Sequence, residues 1–521
     1  LYGGPLLSAE ASLQYGRHLL PRISPDAASA ALTARLAGGG QVVTVSGPEK
    51  PGLVWPDEQE LVDTFAAAMA RDVAPYTDAA VDAPLVAGPP APVDIVARGE
   101  DPELGTTTWT LANGVRVVIR PTDFKNDEVL MSAHAPGGTS RLESPAALDR
   151  AGMADFVISR AGVGAFDNVA LEKKLAGQVV SCAPSIGEHA DGFRGRASPR
   201  DLATLCQLVY LYATAPREDA DAFAAARSML RSWLANRAAD PENALRDTVQ
   251  VRTTSGDPRQ RPFTADDIAI MDLAAMHDFY REVYGDCDDF TFLFVGNVDL
   301  DALEPLARTW LGNLPVSPRE DRALDHSWPL PAGIVEDVVR AGLEPKSRVQ
   351  IVFQGEAPWS DGAEYALESM LDCLRIRLRQ VVREEKSGTY GVRVGGGWRT
   401  IPRDRWRVDV GWGCEPDRVE ELTAAVWSVI EELQTSGPDA ETLAKVRQTQ
   451  TRAHETNLQS NRYWLRALER HQRRGTDPRA ILARPDVIAT LDVVMVREAA
   501  RRDLTHDEYV EVVLRPESNA P

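Results

Sequence analysis

Residues 272–295, DLAAMHDFYREVYGDCDDFTFLFV, decide the fold. Asp272 is a capping residue, an amphipathic helix follows it, and a short turn leads into the apolar strand at 292–295. The same order of parts occurs twice more, from Ser24-Pro25-Asp26 to residues 42–45 and from Thr490-Leu491-Asp492 to residues 510–513. Caps at 24, 272 and 490 lie 248 and 218 residues apart, and strand ends at 45, 295 and 513 lie 250 and 218 apart. Two independent landmarks agree, so the 521 residues hold two complete units of about 218 residues and the tail of a third.

The excess of about 30 in the first interval has a visible source. Residues 72–106 hold six prolines and seven acids against the single base Arg98, a composition that keeps a connector extended and solvated. Beyond it, Trp109-Thr110-Leu111-Ala112-Asn113-Gly114-Val115-Arg116-Val117-Val118-Ile119 reads as two strands around an Asn-Gly turn of type I′. Each long unit then presents another strand, at 129–135 and at 349–354, followed by helical sequence. In the later unit Leu367, Met370, Leu371, Leu374, Leu378 and Val381 recur at spacings of three and four, an apolar face laid on a sheet. Strands and helices fall in blocks, which predicts an α+β fold: helices on a mostly antiparallel sheet, twice over. The expected organisation is the end of a preceding unit at 1–71, a linker at 72–106, and complete units at 107–320 and 335–521. The chain opens at Leu1 without an initiator Met, on sequence that reads as the middle of a domain, so a fragment nicked from a longer protein is expected.

Charge and composition remove several classes. Fifty-seven basic against 77 acidic side chains leave a net charge of −20, which opposes binding to nucleic acid or to anionic lipid. The longest apolar runs, 205–215 and 290–295, are shorter than the ~18–20 residues that span a bilayer. Five cysteines, 182, 206, 287, 373 and 414, form no C-x-x-C pair and read as small buried hydrophobes. The eight histidines never fall three or four apart, so no helix face offers a paired zinc site. Residues 38–40 and 395–397 are Gly-Gly-Gly runs without P-loop or dinucleotide spacing, and they read as turns or strand bends.

One stretch suggests chemistry: Arg383-Glu384-Glu385-Lys386-Ser387-Gly388-Thr389-Tyr390-Gly391-Val392. A helix ends at Ser387-Gly388 and a strand carrying Tyr390 sets off past its terminus. A guanidinium fork and a phenol on one rim can hydrogen-bond a peptide carbonyl or the oxyanion formed from it. The same residues also read as an Arg favoured at a helix C-terminus and a Tyr half-buried in a sheet. Spacing alone leaves both readings open.

The repeated unit, the Pro-rich acidic connector, the phrase Leu111-Ala112-Asn113-Gly114-Val115-Arg116 and the run from Arg383 to Gly391 together resemble the pitrilysin/insulinase family of zinc metallopeptidases. The resemblance covers essentially the whole chain. It implies four such units in two halves that close around a peptide, the first unit carrying H-x-x-E-H with two zinc-binding His and a water-activating Glu. Here Asp155, Ile158 and Ser159 stand at the His, Glu and His positions of the 107–320 unit, so this unit is expected to hold no zinc. The resemblance implies that the chain is the C-terminal, non-zinc half of a metalloendopeptidase. Arg383 and Tyr390 would bind the substrate carbonyl, and zinc would sit on a partner N-terminal half, from the same precursor or a separate chain. It further implies peptide or unfolded polypeptide as substrate and the periplasm as compartment, with the cytoplasm as alternative. A non-catalytic peptide-binding or scaffold subunit of the same fold is the competing reading.

Overall fold

The structure, a computed structural model, describes residues 7–36, 42–47, 54–73, 83–319, 322–385 and 391–517. The chain divides into two compact units, Leu1–Asp78 and Ala79–Pro521. The first contains helices α1 (Ala9–Leu19), α2 (Pro25–Leu36) and α3 (Glu58–Met69). Ser8 caps α1 by accepting from the Ala11 N–H, Ser24 caps α2 by accepting from the Ala27 N–H at 3.1 Å, and Asp57 and Glu60 close a reciprocal box on α3. The strand expected at 42–45 is not formed: residues 42–47 have no regular structure and Val42 is 86% exposed. A strand exists only through neighbours that take up its N–H and C=O groups, and no described residue of this unit does so.

The second unit begins with β1 (Ile95–Asp101), β2 (Thr106–Leu111), β3 (Arg116–Pro121), β4 (Val129–Pro136), β5 (Val180–Ile186), β6 (Ala190–Ala197) and β7 (Thr291–Gly296), in the order β1-β2-β3-β7-β4-β6-β5. Neighbours are antiparallel except β3 and β7. Strand β1 lies inside the stretch that composition marks as a solvated connector. Its residues pair with β2 from Asp101 opposite Thr106 to Ala97 opposite Thr110, and it stands at the sheet edge, where Arg98 and Glu100 reach water. Strands β2 and β3 do form a hairpin, with a different turn from type I′. Gly114 alone takes positive φ (93°), and its N–H donates to the Leu111 carbonyl at 3.0 Å, so the glycine follows the turn proper as a bulge. A Cβ there would lie 2.7 Å from the Asp288 carbonyl oxygen.

The second sheet contains β8 (Ile334–Arg340), β9 (Ser347–Glu356), β10 (Val392–Arg399), β11 (Arg405–Cys414) and β12 (Tyr509–Arg515), ordered β10-β11-β9-β12-β8. Strand for strand this is the first sheet again: β3-β7-β4-β6-β5 against β8-β12-β9-β11-β10, with the single parallel pair in the same place. The starts of β3 and β8 (116 and 334), β4 and β9 (129 and 347), and β7 and β12 (291 and 509) each differ by 218. The expected α+β fold of two repeated units is therefore present. The glycine run at 395–397 lies inside β10 rather than in a turn. A Cβ on Gly396 would meet the Arg407 carbonyl of β11 at 2.4 Å, so the close strand approach requires glycine there.

Five more helices matter for the site: α4 (Ala154–Ile158), α5 (Pro241–Thr253), α6 (Leu273–Tyr284), α7 (Asp361–Leu378) and α8 (Asn461–Arg474). The caps read from sequence are used, Asp272 accepting from the Ala275 N–H and Asp492 from the Met495 N–H. Strand β7 is buried on both faces because both faces are covered. Phe292 and Phe294 join the core under α6, while Leu293 and Val295 meet Trp464, Leu465 and Leu468 of α8. The reverse exchange also occurs: Leu245 and Val249 of α5 pack on Val352, Val510 and Leu514 of the second sheet. Each module thus sends one helix onto the other's sheet, and the two form one compact body. No helix among the described residues is long and apolar enough to cross a membrane.

One strand pair carries a pH-dependent strain. Glu511 of β12 lies in register opposite Glu336 of the parallel β8, and burial, with Glu336 adding repulsion, pushes its carboxyl up from 4.5 to about 7. A carboxyl with a raised folded-state pKa contributes stability that is complete below about 4.5 and is lost as pH rises through about 7. Glu511→Gln is therefore expected to raise the melting temperature at pH 8 and leave it unchanged at pH 4, as read by thermal unfolding at both values. An equal gain at both would remove the ionisation as its cause.

Candidate functional site

Helix α7 continues into a π-helical turn, Arg379–Glu385, whose wider winding carries the chain toward β10. Arg383 falls in this turn. Its side chain, and all of Tyr390, lie outside the described residues, so the pair singled out by sequence has no described geometry. The turn and the start of β10 at Val392 bracket the position of Tyr390 along the chain, and β10 is an edge strand.

Residues 155–159, set by the resemblance against the zinc motif, are fully described. One Asp155 carboxylate oxygen accepts the Ile186 N–H of β5 at 3.0 Å and the other accepts the Phe156 N–H at 2.8 Å. Burial raises the pKa of this carboxyl, against those hydrogen bonds. Ile158 is completely buried in the core, and the Ser159 hydroxyl donates to the Phe156 carbonyl at 3.3 Å. A zinc ligand set needs lone pairs converging on one point. Here one carboxylate is engaged with backbone, one side chain has no ligand atom, and one hydroxyl turns back on its own helix, so these residues do not fit the metal. Among the described residues no three His, Cys, Asp or Glu side chains gather in a metal-holding group. The cysteines are unbridged, and burial pushes the thiols of Cys206 and Cys373 up to about 12, which leaves them protonated and unreactive.

A cavity of about 860 Å³ lies between the two modules of the second unit. Its walls are the β5–β6 turn, the end of β10 and the exposed face of α8. Six arginines line it, 194, 399, 466, 470, 473 and 474, against three acids, Glu188, Asp191 and Glu469. Arg194 forks onto Glu469 at 2.6 and 2.8 Å, and Arg399 donates to Glu188 at 2.6 Å and to the His189 Nδ1 at 2.8 Å. Asp191 is buried against Arg141 at 2.7 Å, and Arg474 turns to Glu364 at 2.7 Å. Arg466, Arg470 and Arg473 remain: exposed, on one face of α8, with no ion-pair partner among the described residues. Beside them His134 is mostly buried, its Nδ1 has no hydrogen-bond partner, and its pKa falls to about 4. Desolvation is the main cause, with Glu469 opposing it and Arg473 and Arg194 adding to it. Reasoning from sequence missed this site, although Arg462, Arg466, Arg470 and Arg473 at spacings of four, four and three form a legible basic stripe in an acidic chain.

Duplicated sheets with exchanged helices, and no metal-ligand set at residues 155–159, are what the resemblance to the non-zinc half of a pitrilysin-type protease implies. The comparisons with known proteins agree. Residues 271–450 match the family model described as the peptidase M16 inactive domain. The Arabidopsis thaliana protein named Zinc protease PQQL-like is 24% identical over 482 residues, covering 89% of this chain and 48% of that protein. The solved periplasmic protease PqqL from Escherichia coli superposes with a TM-score of 0.72 at 19% identity, over 98% of this chain and 57% of that one. A variant of the ferredoxin protease FusC, solved in complex with Arabidopsis ferredoxin, gives 0.73 at 16% identity, over 99% and 56%. Residues 271–450 thus match the M16 inactive domain, and the chain is similar to proteins named zinc proteases. It spans about half the length, or less, of the curated relatives it matches.

Proposed function

We propose that this chain is the non-zinc half of an M16-type metalloendopeptidase, binding peptide substrate opposite a zinc-bearing N-terminal half. The observation that carries the reading is the position 155–159, where an engaged Asp, a buried Ile and a Ser replace the metal and base residues in a chain whose relatives are named zinc proteases. Zinc belongs to the other half, from the same precursor or a separate chain, and the two halves enclose a peptide or unfolded polypeptide. In this chain Arg383 and Tyr390 hydrogen-bond the scissile carbonyl and hold the oxyanion that forms on it. The periplasm is the compartment we favour, supported by the name of the Escherichia coli relative.

Metal analysis and a fluorogenic peptide assay test this together. The chain alone is expected to bind no stoichiometric zinc and cleave nothing, and mixing with a zinc-bearing half is expected to give hydrolysis. Stoichiometric zinc on this chain alone overturns the assignment. A second reading, a peptide-binding or scaffold subunit without catalysis, draws on the matched family's description as an inactive domain. It wins if the paired halves bind peptide and do not cleave it.

A further inference from the structure

The chain's net charge is −20, yet the cavity between its two modules is positive, six arginines against three acids. That inversion is built in layers. Arg194, Arg399 and Arg474 are used up in pairs that fix the walls, two of them with Glu469 and Glu188 from the same lining. Arg466, Arg470 and Arg473 hold nothing in place, because α8 is anchored through its opposite face by Trp464, Leu465 and Leu468. Three uncommitted guanidinium groups on a rigid helix, over a space of about 860 Å³, have the size and chemistry of a ligand site.

We propose that this cavity recognises an acidic segment of a polypeptide, its carboxylates seated on Arg466, Arg470 and Arg473. This rests on the peptide-binding reading and adds a substrate class to it. Geometry favours alternate acids on an extended chain. Arg466 and Arg470 are separated by about 6 Å along the helix and Arg473 follows after about 4.5 Å, while same-face residues of an extended peptide repeat every ~6.6 Å. Discrete carboxylates separated by neutral backbone also suit a wall in which Glu188, Asp191 and Glu469 interrupt the positive surface. A nucleic-acid backbone carries charge at every step and meets both those acids and the chain's own negative field. His134 reports on the site: an anion beside it raises the pKa that burial and the arginines now depress.

Fluorescence anisotropy on the full 521-residue chain decides the matter, using short peptides of alternating Glu and Ser, Gln and Ser, or Lys and Ser, and a single-stranded oligonucleotide of similar length. Three exposed ion pairs predict about tenfold tighter binding of the Glu peptide than of the Gln peptide at about 50 mM salt, with most of the advantage lost at about 300 mM. The R466Q/R470Q/R473Q variant is expected to bind the Glu and Gln peptides alike, with an unchanged melting temperature, since these side chains support no packing. An NMR titration is expected to show the His134 pKa rising when the Glu peptide binds. Equal binding of Glu and Gln peptides by the unaltered chain overturns the acidic preference and leaves peptide binding standing. Binding of the oligonucleotide but of no peptide overturns both.

Discussion

Arg383→Ala, in this chain paired with a zinc-bearing half, is expected to lower kcat/KM by about 10²–10³, with zinc content and assembly unchanged. A donor aimed at the developing oxyanion is worth about 2.7–4 kcal/mol, because it strengthens as the carbonyl oxygen takes on charge. The loss belongs in kcat more than in KM, since the ground-state carbonyl is a weaker acceptor than the oxyanion. Tyr390→Phe removes the second donor, and the double variant is expected to lose less than the product of the two, as groups serving one atom do. Arg383→Lys should rescue little, because an ammonium cannot present the planar fork that reaches a carbonyl from two N–H groups. Steady-state kinetics on a fluorogenic peptide check all four variants. An unchanged kcat/KM for Arg383→Ala sinks the oxyanion role, and an equal rise in KM alone would make Arg383 a binding residue instead.

Much of the fold was legible because it was written twice. Asp272 and Asp492 both cap helices that lead into buried strands, and the 218-residue offset between those landmarks reappears in the starts of three strand pairs. The apolar stripe from Leu367 to Leu378 faces the core as its spacing requires. What failed did so for lack of long-range information. Residues 42–45 have the composition of a strand, but a strand depends on partners that composition does not name. Strand β1 has the opposite disguise, prolines and acids upstream of a segment held only along one edge by β2. The exchange of α5 and α8 was equally hidden, since Trp464, Leu465 and Leu468 declare an apolar face and say nothing of which sheet receives it. At the site, the departure of Asp155, Ile158 and Ser159 from H-x-x-E-H was readable residue by residue. The arginine cavity was not, because its walls come from β4, β5, β6, β10 and α8, separated by up to some 340 residues.

That exchange carries the second large effect. Trp464→Ala is expected to destabilise the second unit by about 3–5 kcal/mol, the cost of deleting a fully buried aromatic and leaving its cavity. The indole is 2% exposed, among Leu104, Val118, Leu293 and Val295 of the first module, and its Nε1 donates to the Leu458 carbonyl at 2.9 Å. The Arg120 guanidinium lies 3.6 Å from its ring centre and donates to the Leu104 carbonyl, and burial lowers its pKa. Removing the ring strands that desolvated cation without its cation–π partner, which adds to the cavity cost. Trp233→Ala is the control: at 48% exposure it is expected to change stability by less than about 0.5 kcal/mol. Denaturant unfolding of both variants gives the comparison. The consequence reaches the cavity, because Trp464 anchors the helix whose other face presents Arg466, Arg470 and Arg473. Trp464→Ala should therefore weaken acidic-peptide binding without touching a charge, whereas the triple arginine variant weakens it without touching stability. If Trp464→Ala instead costs no more than the exposed Trp233→Ala, α8 is not held by the first sheet, and the preorganised arginine face argued from that anchorage falls with it.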